Sequence, residues 1–158
     1  MKWQDVGEMR CPIARSLSVI GDRWTVLILR NAFMRMRRFD DFRSSLGLPK
    51  HILSQRLKKL VEADVMTREP YQASPVRYEY RLTEKGRELY PVILSLSGWG
   101  DKWMDGGQGK VLFYTHTDCG HQFTPVMACS GCGGHVHARN VMVSPGPGLV
   151  APSVETRG

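Results

Sequence analysis

Four cysteines and five histidines are the metal donors and nucleophiles of this sequence, and most of them crowd together beyond residue 115. There His116-x2-Cys119-Gly120 is followed, after eight intervening residues, by Cys129-x2-Cys132-Gly133. Two donors separated by two residues and followed by glycine make a tight turn in which both side chains can face one tetrahedral ion. The spacing therefore predicts two knuckles and one structural zinc held by His116, Cys119, Cys129 and Cys132. His121, His135 and His137 are rival nitrogen donors. Two other readings of the same residues stay open, a metal-free hairpin and a redox-active cysteine pair. A catalytic zinc would need an open ligand position and a general base such as the Glu of H-E-x-x-H. Neither that motif, a paired-carboxylate signature, a Gly-rich phosphate loop nor a nucleophile motif accompanies the cluster, so the sequence reads as a non-enzyme.

A second chemistry is carried by charge. The chain has a net charge of +7. Between Arg35 and Lys59 eight bases (Arg35, Arg37, Arg38, Arg43, Lys50, Arg56, Lys58, Lys59) face only two acids, Asp40 and Asp41. A basic segment inside patterned helical sequence can neutralise phosphates while holding a fixed register on a duplex. Double-stranded DNA is the expected partner.

The elements that must position these bases follow from hydrophobic periodicity. RWTVLILRNAF, residues 23–33, carries Trp24, Leu27 and Ile28 on one stripe and predicts a buried helix. In FDDFRSSLG, Phe39, Phe42 and Leu46 share a face and Gly47 supplies a stop, which predicts a short second helix. PKHILSQRLKKLVEA then predicts a third helix from about Pro49 to Ala63. At 100° per residue its Leu53, Leu57, Leu60 and Val61 turn inward. Lys50, His51, Ser54, Gln55, Lys58 and Lys59 lie on or beside the opposite face. Helix, short helix, Gly-containing turn and longer helix is the helix-turn-helix arrangement, whose last member enters the major groove. Gln can read adenine, and Lys can read guanine or hold phosphate.

Beyond Asp64 the period changes. Val65–Tyr71 and Val76–Leu82 are predicted strands of a hairpin joined by Gln-Ala-Ser-Pro, with Arg77 near the tip, where it can touch a neighbouring groove or phosphate. Thr83 is a suitable N-cap for a helix running to about Met104 and kinked at Pro91. Its stripe includes Leu96, Trp99 and Trp103, more apolar surface than one small domain needs to cover, and a second copy of the chain is the economical partner.

As an ordered set, CPIARSLSVIGDRW at 11–24, LRNAF and RRF within 29–39, LSQRLKKL at 53–60 and VRYEYRLTEKGREL at 76–89 resemble the HxlR-type winged helix-turn-helix regulators of bacteria and archaea. The resemblance spans about residues 10 to 104. It implies a dimeric transcription factor whose terminal helices pack across a two-fold axis. Cys11 matches a cysteine that many of these proteins carry, and some use it to sense oxidants or electrophiles. Its place is compatible with that, since Pro12 would open a helix behind it and Arg10 and Arg15 are near in sequence. A buried, inert cysteine fits the position as well.

The expected architecture is mainly α with a β-hairpin wing, an α+β winged helix-turn-helix with a long dimerisation helix and a small C-terminal zinc-ribbon-like β appendage. The expected divisions are 1–105 for DNA binding and dimerisation, 106–143 for the appendage, and 144–158, rich in Pro and Gly, for a loose tail. No apolar run approaches the roughly 20 residues of a membrane span, and the N-terminus has no signal-peptide pattern. A reducing cytoplasm is therefore expected. An alternative function, a zinc-ribbon adaptor binding protein or RNA, would leave the basic third helix unexplained.

Overall fold

Helix α2, Arg23–Phe33, begins where a carboxylate can satisfy its open amides. In the computed structural model, which describes residues 3–148, Asp22 Oδ1 accepts from the amides of Trp24 at 3.0 Å and Thr25 at 3.3 Å. Two of the N–H groups that no helix can pair internally are thereby bonded. The described residues form two compact units, Val19–Pro125 on the one hand and the described parts of Met1–Ser18 and Val126–Gly158 on the other.

In the first unit α2 spans Arg23–Phe33, α3 Phe39–Leu46 and α4 Lys50–Glu62. Asp40 and Asp41 occupy the first turn of α3, where negative charge complements the helix dipole, and Gly47 closes it in the left-handed conformation at φ 61°. Strands β1 (Met66–Ala73) and β2 (Val76–Leu82) form an antiparallel ribbon with Met66 opposite Leu82 and Ala73 opposite Val76. The register shifts between Pro70 and Gln72, where proline cannot donate to the ladder. The core gathers Ile28 and Leu29 of α2, Phe42 of α3, Leu53, Leu57 and Leu60 of α4, then Val65, Met66 and Ile93. Burying each such side chain contributes about 1.5–3 kcal/mol. Helix-turn-helix and wing thus share one core, as the periodicity predicts.

The single helix expected from Thr83 to Met104 is in fact two. Thr83 caps the first as expected, its Oγ1 accepting from Gly86 N at 3.0 Å, but α5 covers only Glu84–Arg87 and α6 resumes at Tyr90 and runs to Trp103. Pro91 is the cause, because it lacks an N–H and its ring crowds the carbonyl four residues back, so the chain restarts with proline in the first turn of α6. Gly86 contributes a second constraint, since a Cβ there would overlap the Val65 carbonyl. The last pairing in this unit is β3 (Tyr114–Thr115) with β4 (Gln122–Phe123), antiparallel.

In the second unit a 3-10 turn at Trp3–Glu8 precedes α1, Pro12–Ile20, whose last two residues belong to the first unit. The C-terminal part holds one isolated pairing, Ala128 with His135. From residue 149 onward the expected loose tail lies outside the described residues.

Asp22 also ties α2 to α4. Arg56 Nε donates to its Oδ1 at 2.9 Å and Arg56 Nη2 to its Oδ2 at 3.1 Å. Partial burial pushes the Asp22 carboxyl upward, but the Arg56 hydrogen bond and charge and the two amides outweigh it and hold the group below its ordinary value. A carboxyl depressed in the folded state adds stability above its unfolded pKa, and that contribution is lost as the pH falls through the folded value. Asp22→Ala is expected to cost about 1–3 kcal/mol at neutral pH through loss of cap and pair together. In denaturant titrations the difference from the parent protein should shrink as the pH is taken below the carboxylate range.

Candidate nucleic-acid interface

Helix α4 divides cleanly into two faces. Leu53, Leu57 and Leu60 are fully buried, whereas Lys50, His51, Ser54, Gln55 and Lys58 are exposed and Lys59 is half-buried. This is the expected division, with one base reassigned. Arg56 is not free for a ligand, because its guanidinium is engaged twice by Asp22. Lys58 lies 3.6 Å from Glu62, but both side chains are well exposed, and such surface pairs are worth about 1 kcal/mol or less, so a phosphate can compete for it.

The ribbon brings further groups to the same side. Arg77 is exposed beside the tip, opposite Gln72. Arg68 stacks 3.7 Å above the Tyr78 ring and Arg38 4.8 Å above Tyr71. Stacking fixes a guanidinium without using its hydrogen-bond donors. The segment before α3 is itself bound to the ribbon, since Tyr80 N donates to the Arg37 carbonyl at 2.8 Å and Arg38 bridges to Glu79. A cleft between the start of α4 and the ribbon is consequently lined by Arg38, Lys50, Ser54, Arg68, Tyr71 and Arg77, together with the acids Asp40 and Asp41. Burial raises the Tyr80 hydroxyl pKa, with nearby Arg68 opposing the shift, so this lining phenol stays neutral. Arg81, by contrast, is neutralised by Glu79 and Glu69 and adds no free charge.

Arg38, Arg68, Tyr71 and Tyr78 are interface candidates that the sequence pattern does not single out. In the sequence Arg38 counts only as charge, and the alternation of Arg and Tyr across the two strands is the signal that could have found the others. Together the groups combine exposed donors on one helix with cations on the flanking ribbon. Such a helix can enter a major groove while the flanking cations hold backbone phosphates.

The predicted metal donors stand in pairs. His116 Nδ1 lies 3.3 Å from Cys119 Sγ. At the other turn the amides of Cys132 and Gly131 and the Cys132 thiol are hydrogen-bonded to the Cys129 sulfur and lower its pKa. Cys119, Cys129 and Cys132 are exposed free thiols. Among the described residues no three His, Cys, Asp or Glu side chains gather into a metal-holding group. His137 Nδ1 accepts from Arg139 N at 3.3 Å, so that ring has a partner of its own. Cys11 is half-buried directly before α1, its carbonyl accepting from Arg15 N at 3.0 Å. On α6, Leu96, Trp99 and Trp103 are 51%, 59% and 64% exposed in the single chain.

The model of the HxlR-like helix-turn-helix family matches residues 19–108, the stretch that holds the core, α4 and the ribbon. The chain belongs to that family. It is 44% identical over 139 residues to Rv3095 of Mycobacterium tuberculosis, an uncharacterized HTH-type transcriptional regulator, with 88% of each chain covered. A match of that length within 158 residues takes in both cysteine turns. Among solved structures it is similar to PA1607, a candidate transcription factor, at 38% identity and a TM-score of 0.78, covering 87% of this chain and 96% of the other. It is also similar to the redox regulator HypR in its reduced form, at 31% identity and a TM-score of 0.55, covering 58% and 92%. This HxlR-like chain is accordingly a DNA-binding transcriptional regulator of α+β winged-helix fold. Among its described residues no helix is long and apolar enough to cross a membrane.

Base-reading and phosphate-holding side chains should separate in binding measurements. Gln55→Ala is expected to reduce discrimination between operator and unrelated duplex by about 1–3 kcal/mol. Lys50→Ala or Arg77→Ala should weaken every duplex alike and lower the slope of log affinity against log salt by about 0.9 for each phosphate left without its cation. Fluorescence anisotropy over a salt series reads both, and unchanged binding in a variant lacking all three side chains would remove this face from the interface.

Proposed function

We propose that this regulator binds promoter DNA in the cytoplasm as a homodimer, acts there by binding without catalysing a reaction, and changes affinity when Cys11 is modified. The division of α4 carries the DNA reading. One face is consumed by the core and the other offers Lys50, His51, Ser54, Gln55, Lys58 and Lys59 without structural duties beyond one weak exposed pair. Base contacts fall to Gln55 and its neighbours, and phosphate contacts to the lysines and Arg77.

The dimer reading rests on α6. Large aromatic side chains bury about 150–250 Å² each when covered, and contiguous exposed apolar patches usually mark an interaction surface. Leu96, Trp99 and Trp103 recur on this helix, each more than half exposed. A two-fold contact through them would fix two copies of α4 at one spacing, with half-sites about 34–36 Å apart or a multiple of that. Sedimentation at micromolar concentration should show a dimer. The pair Leu96→Glu and Trp99→Glu should give a folded monomer that no longer distinguishes two half-sites from one.

Cys11 is the thiol placed beside a helix start and between Arg10 and Pro12, and a structural neighbour of the chain, HypR, is a redox regulator. Thiolates near helix N-termini and cations react readily with oxidants and electrophiles. A disturbed start of α1 would alter how two subunits meet. Diamide or a quinone should release DNA from the parent protein and spare Cys11→Ser in a gel shift. Equal release from both proteins, or none from the parent, would leave Cys11 a structural residue.

A further inference from the structure

Two sides of α6 already have a part to play. Ile93 is buried in the core, and Leu96, Trp99 and Trp103 recur on the stripe that supports the dimer reading. At 100° per residue Gly98, Asp101 and Lys102 fall on another side of the helix. The segment that follows α6 folds back onto that side, all within the Val19–Pro125 unit. Tyr114 of β3 donates its hydroxyl to Ser97 Oγ at 2.9 Å, and a Cβ on Gly98 would stand 3.6 Å from Pro125 Cδ. Helix and segment together line a hollow of about 540 Å³, within the roughly 300–1,000 Å³ of small-molecule sites.

Two kinds of group line it. Phe113 and Phe123 supply aromatic surface that is exposed in the chain. Covering such surface is favourable, and an aromatic ring covers it with the best geometry. The charged groups are Asp101, Lys102 and Lys110, so two ammoniums against one carboxylate leave the lining net positive. Among the described residues neither lysine is in an ion pair. Lys110 Nζ donates to Thr124 Oγ1 at 3.4 Å, and Lys102 Nζ stands 4.8 Å from the centre of the Trp103 ring. Neither contact neutralises an ammonium, and a carboxylate would gain charge-assisted hydrogen bonds from both. Asp101, half-buried and lining the same hollow, would repel a second carboxylate.

We propose that this hollow binds a small aromatic monocarboxylate, with its ring against Phe113 and Phe123 and its charge held by Lys102 and Lys110. The inference goes beyond the DNA and dimer readings and requires neither. A ligand here would touch α6 without competing for the side that carries Leu96, Trp99 and Trp103.

Isothermal titration calorimetry on the full chain, with no DNA present, tests the site separately from DNA binding. Both 2-naphthoate and biphenyl-4-carboxylate should bind saturably at one equivalent per chain. Naphthalene-2-carboxamide, which keeps the rings but not the charge, should bind about tenfold more weakly than naphthoate. Lys102→Ala with Lys110→Ala should bring naphthoate down to the level of the amide, whereas arginine at both positions should keep it tight. Gly98→Leu should abolish binding by filling the hollow, since the Cβ itself meets only Pro125 at an ordinary distance. Asp101→Asn should raise the affinity for naphthalene-2,6-dicarboxylate. Far-ultraviolet circular dichroism and the arginine pair guard against loss through misfolding. No saturable binding of either acid, equal affinity for naphthoate and its amide, or full naphthoate affinity in Gly98→Leu would each overturn the assignment.

Discussion

The carboxylate of Asp22 does two jobs at one point, and the orientation of the DNA-facing helix depends on both. It starts α2 by accepting two backbone amides, and it clamps α4 by accepting the fork of Arg56. An amide-capped carboxylate is already held in place, so the arginine that meets it loses little further freedom in forming the pair. The geometry also joins the two helices at the level where α4 turns its leucines inward. With Leu53, Leu57 and Leu60 in the core and Arg56 tied at the flank, α4 is held against rotation about its axis. The polar face is then presented to solvent by default rather than by any interaction of its own.

That arrangement changes the meaning of the positive charge. Formal charge along 35–59 locates the interface, yet Arg56 is spent internally, while Arg68 and Arg77 of the ribbon lie outside the segment. Two arginines at the cleft are held over tyrosine rings instead of by carboxylates. A guanidinium held by stacking keeps its donors for a ligand, whereas one held in an ion pair, as Arg81 is, has given them up. Recruitment of Arg38 to the cleft depends on its bridge to Glu79, which joins the segment before α3 to the second strand of the wing. Wing and recognition helix are therefore one surface.

The cysteine-rich stretch obeys a different economy. The family match ends at residue 108, within a unit organised by buried leucines, isoleucine and phenylalanine. Beyond it the turns are organised by backbone hydrogen bonds and left-handed glycines, with almost no side chain removed from water. Directional bonding can hold a turn of six residues, but it cannot supply the cooperativity of a core.

Much of this is legible in the sequence because it is local. Helix periodicity locates α2, α3 and α4 to within their caps, Gly47 marks the end of α3, Thr83 the start of α5, and the change of period at Asp64 the wing. Cys-x2-Cys-Gly likewise specifies a turn from adjacent residues alone. The break at Pro91 reads in the sequence only as a kink, since a missing N–H says that a helix is disturbed but not whether the neighbouring packing will let it continue. The Asp22–Arg56 clamp joins residues 34 positions apart, and the Arg38–Glu79 bridge spans a comparable distance. Neither pairing leaves a periodic trace, because which of several cations meets a given carboxylate, or which loop completes a ribbon edge, is decided only when the core has brought the segments together.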